Sequence, residues 1–419
     1  MKIVTMGLGY IGLPTSVMFA NYGQEVIGVD INKNAVEMLK GGKIHIEEPG
    51  LQAALEKALH SGNFKPKMTP ETADVFILAV PTPNNEDTYK SCDLTHLLNA
   101  LKTILPYVKK GNTIIVESTI APRSTEDYVV PLIEAQGFIV GEDIFVVHCP
   151  ERVLPGQVLE ELVYNNRIIG GVTEECTLAG KKVYEIFVQG DLILTEAKTA
   201  ELSKLMENTY RDVNIALANE LVKISSDLSI NALDVIEMAN KHPRVNLHQP
   251  GPGVGGHCLA VDPYFITAAS PKYSPLIQLA RQINTSMPDY VIDTSLAIME
   301  KVKGTKIAIL GLTYKGDIDD IRESPAMEIY SRLKKETNFE VSAFDPHVEK
   351  EFIEKDMNIA LEGADLVLVL SDHSEFKQLK KIDFKGMNNI NILDTKNILA
   401  IDATAKYYYN LGNLFEVAS

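Results

Sequence analysis

Four apolar runs near the N-terminus return, in the same order, near the C-terminus. KIVTMGLG is echoed by KIAILGLT, EVIGVD by EVSAFD, ADVFILAVPT by ADLVLVLSDH, and TIIVEST by NILDTKN. In the first third IFVVHC adds a fifth run of the same kind. Short stretches rich in Val and Ile suit strands buried on both faces, as in parallel sheets whose crossovers are helices. Amphipathic segments such as 51–59 lie between them, so strand and helix alternate. At 419 residues the chain is too long for a single core. The pattern predicts an α/β protein with two Rossmann-like, doubly wound parallel-sheet domains, residues 1–190 and 303–419.

The middle, residues 191–302, reads as a helical domain. No Pro or Gly interrupts 196–228, and the helical period persists throughout. Thr195 is placed to cap that helix, which would span roughly 50 Å at about 1.5 Å per residue. Such a helix can tie two domains together and offer a face for a homodimer. Further helices are expected over 232–240 and 276–302.

The balance of 40 Lys+Arg against 56 Asp+Glu leaves a net charge of −16. A chain this acidic is ill suited to nonspecific contact with nucleic acid or an anionic membrane surface, so an anionic ligand must be met by local cations and helix N-termini. The cysteines Cys92, Cys149, Cys176 and Cys258 form no CxxC pair, and the histidines form no HExxH group. No metal centre or disulfide framework is therefore expected. MKIVTMGLGYIGL reads as a strand entering a glycine turn rather than a signal peptide, and no apolar stretch is long enough to span a bilayer. A cytoplasmic setting is expected.

GLGYIG follows the first predicted strand and opens a helix, with Asp30 ending the second strand. Gly7, Gly9 and Gly12, with Tyr10 and Ile11 between them, form the dinucleotide fingerprint in its proper context, and a carboxylate at Asp30 suits ribose hydroxyls. That carboxylate would repel a 2′-phosphate, which favours NAD over NADP. The corresponding turn in the C-terminal half, GLTYKGDIDDIRESPA, lacks the spacing but offers Lys315 and Arg322 for phosphates. Within GPGVGGHCLAVDP, Cys258 lies among glycines with Asp262 four residues on, a thiol placed to act as nucleophile beside a carboxylate. Lys204 and Asn208, also four apart, share one face of the long helix and can stabilise developing negative charge. Thr119 and Glu151 follow strands of the first domain, at the edge where ligands of such sheets bind. His257, beside the thiol, reads as structural or secondary.

Taken in order, GLGYIGLP, VPTP, ESTIAP, CPERVLPG, ELSKLMENTYRDVNIALANE, GPGVGGHCLAVDP and GLTYKGDIDDIRESPA run along nearly the whole chain. Together they resemble the UDP-glucose/GDP-mannose dehydrogenase family. The resemblance implies oxidation of a sugar C6 alcohol to a carboxylate with two NAD⁺ in turn. Cys258 would trap the intermediate aldehyde as a thiohemiacetal, whose oxidation gives a thioester that water hydrolyses. By the same likeness Lys204 stabilises the oxyanion, Asp262 positions or activates water, and Glu151 matches a glutamate of thioester hydrolysis. Thr119 and Asn208 match supporting positions.

Pro81 and Thr82 of VPTP, Thr119 and Arg322 would join the glycine turn around the cofactor. Arg152, Gly255 and Lys315 would join Glu151, Lys204 and Asn208 around the substrate, which Arg244 would reach across a dimer interface. The C-terminal domain would hold the UDP portion. CPERVLPG, NRIIGG and GVGGHCLAVDP are most similar to members that oxidise UDP-N-acetyl-D-mannosamine. Pro155 stands where hexose-oxidising members carry a second acid, and Val261 where they carry a lysine, which fits a pocket shaped for a 2-acetamido sugar. The product expected is UDP-N-acetyl-D-mannosaminuronate for surface polysaccharide. The neighbouring readings are the C2 epimer UDP-N-acetylglucosamine as substrate, a two-electron dehydrogenase, and a non-catalytic nucleotide-sugar-binding protein.

Overall fold

The eight strands of the first sheet run in the order β3-β2-β1-β4-β5-β6-β7-β8. They are β1 (Lys2–Met6), β2 (Glu25–Val29), β3 (Phe64–Lys67), β4 (Val75–Leu78), β5 (Thr113–Val116), β6 (Phe145–His148), β7 (Arg167–Gly171) and β8 (Leu192–Glu196). All five apolar runs expected as strands form them. Every pairing is parallel except β6 with β7, which is antiparallel. β4 and β5 are buried along their whole length, as strands covered by helices on both faces must be. The helix Gly12–Asn21 packs one face, where Phe19 meets Phe187 edge-on at 4.8 Å, and Leu97, Leu101 and Ile104 cover the other.

The second sheet is wholly parallel, in the order β10-β9-β11-β12-β13. Its strands are β9 (Lys306–Leu310), β10 (Glu340–Phe344), β11 (Leu366–Val369), β12 (Ile392–Asp394) and β13 (Tyr408–Asn410). The four echoed runs occupy equivalent places, β2-β1-β4-β5 in one sheet and β10-β9-β11-β12 in the other.

These features come from a computed structural model that describes residues 1–154, 156–401 and 407–418, so Pro155 lies outside the described residues. The chain divides into two compact units, Met1–Glu207 with Tyr264–Pro271, and Asn208–Pro263 with Lys272–Ser419. The long helix spans Ala197–Asp227, one residue shorter at each end than its period predicts. Thr195 does not cap it. β8 pairs with β7 as far as Glu196, so Thr195 is a strand residue and the chain passes from strand to helix without a loop. The helix Ala232–Asn240 forms as expected, with the Asn231 side chain accepting from the N–H groups of Leu233 and Asp234. The segment expected over 276–302 forms two helices, Pro275–Thr285 and Met287–Val302. The break falls at Ser286, two residues before Pro288, which has no N–H to continue the first helix. Among the described residues no helix is long and apolar enough to cross a membrane.

Near its start the long helix braces the loop that follows β5. The buried Glu201 carboxylate accepts hydrogen bonds from the Arg123 N–H at 2.5 Å, the Thr125 N–H at 2.8 Å and the Thr125 hydroxyl at 2.6 Å. Three donors that a buried loop would leave unpaired are thereby satisfied.

His148 ends β6 and is fully buried, and burial pushes its imidazole down from the ordinary 6.5 to about 3. The unfolded chain binds a proton in that window and the folded chain does not. Its contribution to stability is therefore complete above about pH 6.5 and is lost progressively as the pH falls toward 3. His148→Phe removes the titrating ring and keeps a similar volume. Chemical denaturation from about pH 7 to 5 should show wild type losing up to about 1.4 kcal/mol per pH unit more than the variant. Equal slopes would assign the acid sensitivity to other groups.

Candidate active site

In the first unit the turn after β1 is built by backbone proximity. Gly7 has φ +92°, and a Cβ there would lie 2.4 Å from the Ala79 carbonyl oxygen, while one at Gly12 would lie 1.9 Å from that of Gly7. At Gly9 the missing Cβ faces open space. The turn thus closes tightly on the sheet and leaves a bare cradle at the N-terminus of the helix Gly12–Asn21, where backbone N–H groups favour an anion. Asp30 is tied to the same turn. Its carboxylate accepts from the Leu8 N–H at 2.8 Å and the Asn32 N–H at 2.7 Å, with lone pairs left for ribose hydroxyls. Tyr10 is exposed and Ile11 half-buried beside the cradle. These residues fit NAD.

The loops after β4 and β5 are fastened to each other. The Thr82 hydroxyl donates to the Thr119 carbonyl at 2.5 Å, the Ser118 hydroxyl donates to the Val80 carbonyl at 2.7 Å, and the Val80 N–H donates back at 2.9 Å. Pro81, Thr82 and Thr119 therefore share the C-terminal edge of the sheet, the edge at which doubly wound sheets take ligands.

Glu151 follows β6 and is held on both oxygens, by the Arg152 N–H at 2.7 Å and the Arg167 guanidinium at 2.5 Å. The Arg152 side chain forks onto Glu207 at 2.7 and 3.0 Å and reaches the Asn166 carbonyl at 3.2 Å. Lys204 is buried on the long helix, one turn before Asn208. Sequence reasoning missed Arg167 and its second partner, Glu117. The available signal was an arginine opening the otherwise apolar strand of NRIIGG, where a charge survives burial only if paired.

In the second unit Asn208 donates to the buried Asp262 carboxylate at 2.6 Å. The Asp262 N–H bonds the Cys258 carbonyl at 2.8 Å, which fixes thiol and carboxylate one turn apart, as their spacing predicts. Cys258 itself is exposed. The glycine-rich stretch before it is pinned by a buried polar chain. The Gly251 N–H donates to Asn219, Asn219 to Asn284, and Asn284 to Asp212, at 2.8 to 2.9 Å. Arg281 binds the same Asp212 oxygen at 2.6 Å and reaches the Leu259 carbonyl at 3.5 Å, just past the thiol.

The loop after β9 packs on the other side of this stretch. A Cβ on Gly255 would lie 2.3 Å from the Glu323 carbonyl oxygen, and one on Gly256, at φ +87°, would lie 2.7 Å from the Tyr314 ring. His257 has a fixed orientation, with Nε2 3.0 Å from Asp320. Arg322, expected at the cofactor, forks onto that same carboxylate at 2.9 Å on both oxygens. Burial opposes the Asp320 charge, but the hydrogen bonds from Arg322 and His257 hold its carboxyl down at about 2. Lys315 is exposed on this loop, and Arg244 is exposed beside His242 on the segment after the helix Ala232–Asn240.

Asp345 repeats Asp30 in the second sheet, accepting from the Leu312 N–H at 2.7 Å and the His347 N–H at 2.9 Å. It is buried, however, and bonded at 3.1 Å to His373 Nε2. His373 Nδ1 accepts from the Asp317 N–H at 2.9 Å, so Nε2 carries the proton that Asp345 receives. Ligand-type atoms of Asp317, His347, His373 and Glu375 lie within 4.8 Å of one another. Both His373 nitrogens are already engaged, and the group reads as a brace beneath the loop rather than a metal centre.

Comparison with known proteins reaches all three parts of the chain. Residues 1–188 match the NAD binding domain of the UDP-glucose/GDP-mannose dehydrogenase family, 198–286 its central domain and 308–401 its UDP binding domain. The UDP-N-acetyl-D-mannosamine dehydrogenase of Methanocaldococcus jannaschii is 50% identical over 405 residues, 95% of this chain and 92% of that one. The solved UDP-N-acetyl-mannosamine dehydrogenase of Staphylococcus aureus is 60% identical, covers both chains completely and superposes with a TM-score of 0.93. The UDP-D-ManNAc dehydrogenase structure from Pyrococcus horikoshii is 39% identical over 99% of this chain and all of that one, with a TM-score of 0.93. With all three domains matched in order, the chain is an NAD-dependent dehydrogenase that belongs to the UDP-glucose/GDP-mannose dehydrogenase family.

Proposed function

We propose that this dehydrogenase oxidises C6 of UDP-N-acetyl-D-mannosamine to the carboxylate, yielding UDP-N-acetyl-D-mannosaminuronate for surface polysaccharide in the cytoplasm. The observation that carries the reading is 60% identity across the complete length of the Staphylococcus aureus mannosamine dehydrogenase. NAD, bound in the Gly7–Gly12 cradle, supplies the hydride acceptor for each of the two oxidations.

The chain's own residues take the remaining work. Cys258 is exposed and anchored on both sides, as a nucleophile must be to meet an aldehyde carbon and still be positioned. Lys204 supplies positive charge to the alkoxide and to the tetrahedral oxyanion. Asp262, oriented by Asn208, takes the role of positioning or activating water, Glu151 that of the thioester-hydrolysis glutamate, and Thr119 closes the sheet edge beside the cofactor. The loop carrying Lys315, with Gly255 against it, receives the UDP portion. Arg244 reaches toward a second copy's substrate.

A homodimer accords with the surface of the long helix. Tyr210, Leu217 and Ile224 are exposed and stand seven residues apart, a spacing that lines one face of a helix over successive double turns. Leu202 and Met206 are exposed apolar residues on the same helix.

Three measurements test this reading. Turnover on UDP-N-acetyl-D-mannosamine should release two NADH per sugar and an acid product, and activity confined to the gluco epimer would overturn the substrate assignment. Cys258→Ala should lower acid formation roughly 10³-fold or more. Undiminished acid production by that variant excludes covalent catalysis. In sedimentation equilibrium the wild type should behave as a dimer and the double variant Leu217→Glu/Ile224→Glu as a monomer, whereas a monomeric wild type rules the dimer out.

A further inference from the structure

Glu151 belongs to a buried charged cluster that no motif announces. Arg167, at the start of β7, places Nη2 between two carboxylates, 2.5 Å from Glu151 and 3.1 Å from Glu117 at the end of β5. The Tyr184 hydroxyl donates to the same Glu117 oxygen at 2.6 Å. The Arg167 Nε donates to Cys149 Sγ at 3.2 Å, and its guanidinium carbon lies 4.2 Å from the centre of the Tyr184 ring. Arg167 is thus held at Nε, at Nη2 and on one face of the guanidinium plane. Arg167, Glu117 and Tyr184 are each 5% exposed or less, so none is exchanging freely with water.

We infer that Arg167, tethered by Glu117 and Tyr184, is the positioning residue that sets the Glu151 carboxylate for thioester hydrolysis. The inference rests on the proposed function and deepens it. A planar guanidinium can serve Glu117, Glu151 and Cys149 at once in fixed directions, which a lysine ammonium cannot. Burial explains the pairing. Two carboxylates around one cation leave an excess negative charge, and burial pushes Glu117 up to about 7, with Arg167 opposing that rise. Glu117 can therefore take up a proton near neutral pH. In hydrolysis water oxygen bonds the thioester carbon, Glu151 accepts the water proton, and the Cys258 thiolate leaves. The step is redox-neutral, since both hydrides have already gone to NAD.

The variant Arg167→Lys separates positioning from scaffolding, because only hydrolysis should slow. Rapid mixing with UDP-N-acetyl-D-mannosamine and NAD should give a burst of two NADH per active site. The slow phase that follows should fall roughly 10- to 100-fold, with KM for the sugar nucleotide within about twofold of wild type. Intact-protein mass spectrometry should find the sugar nucleotide held as a thioester on the enzyme. A wild-type slow phase, or a loss of burst and slow phase together, overturns the inference. Should Arg167→Lys fail to fold, Glu117→Gln replaces it, keeping the shape while weakening the tether. A retained burst with the slow phase reduced about threefold is expected, and an unchanged slow phase overturns the inference equally. Wild type read in the same experiment keeps the two questions apart. If wild type itself yields no NADH or only one per sugar, the proposed function fails rather than the role of Arg167.

Discussion

The thiol segment cannot hold itself in place. Residues 251–256 contain four glycines and almost no side chain with which to pack, so the chain there would be mobile if left to its own contacts. Its position is set by the relay Asp212–Asn284–Asn219–Gly251, with Arg281 closing the far end at Leu259. Each link is buried, and in a low-dielectric interior a polar group that loses its partner costs more than the hydrogen bond itself contributes. The relay is consequently all-or-none: breaking one member strands the next. Glycine is what lets the loop after β9 come within van der Waals distance of the same stretch, so rigidity is supplied from outside and closeness from within.

The two sheets show what duplication preserves and what it releases. Asp30 and Asp345 end equivalent strands and make the same pair of backbone hydrogen bonds. Those bonds are structural, since they tie the first turn to the second strand whatever is bound above. The remaining lone pairs are where the halves part. Among the described residues the Asp30 carboxylate is bonded by backbone N–H groups, whereas His373 also bonds that of Asp345. A dinucleotide ribose can be gripped in the first half only, which agrees with the absence of the GxGxxG spacing from GLTYKG.

Much of this was legible in the sequence because it is local. A β-branched run, a glycine turn followed by a helix, or a thiol four residues before an acid each declares itself within one element, and all were found where expected. What escaped depends on partners far along the chain. FKPK of β3 is too polar to read as a strand, and it is one because β2 pairs with it along four residues. Thr195 has the chemistry of a helix cap and was drawn into β8 by pairing with Gly170. Arg167 meets Glu117 across 50 residues of sequence and Glu151 across 16, so neither pair leaves a periodic trace. Glu201 looks like an ordinary helix glutamate, yet it braces a loop more than 70 residues away.

Charge accounts for the remaining design. The chain carries 16 more acidic than basic residues, yet it belongs to a family defined by anionic ligands. Four of its arginines are already paired: Arg322 with Asp320, Arg152 with Glu207, Arg167 with Glu117 and Glu151, and Arg281 with Asp212. Pairing lowers the field that each cation projects into solvent, so long-range attraction contributes little to recognition. It also fixes each guanidinium in advance, and the entropy of ordering a long side chain is met on folding rather than on binding. Backbone N–H groups at the start of the helix Gly12–Asn21, which has no acidic residue in its first turn, add a fixed positive end. Selectivity for a phosphate in such a protein comes from the direction of its donors, and net charge has almost no part in it.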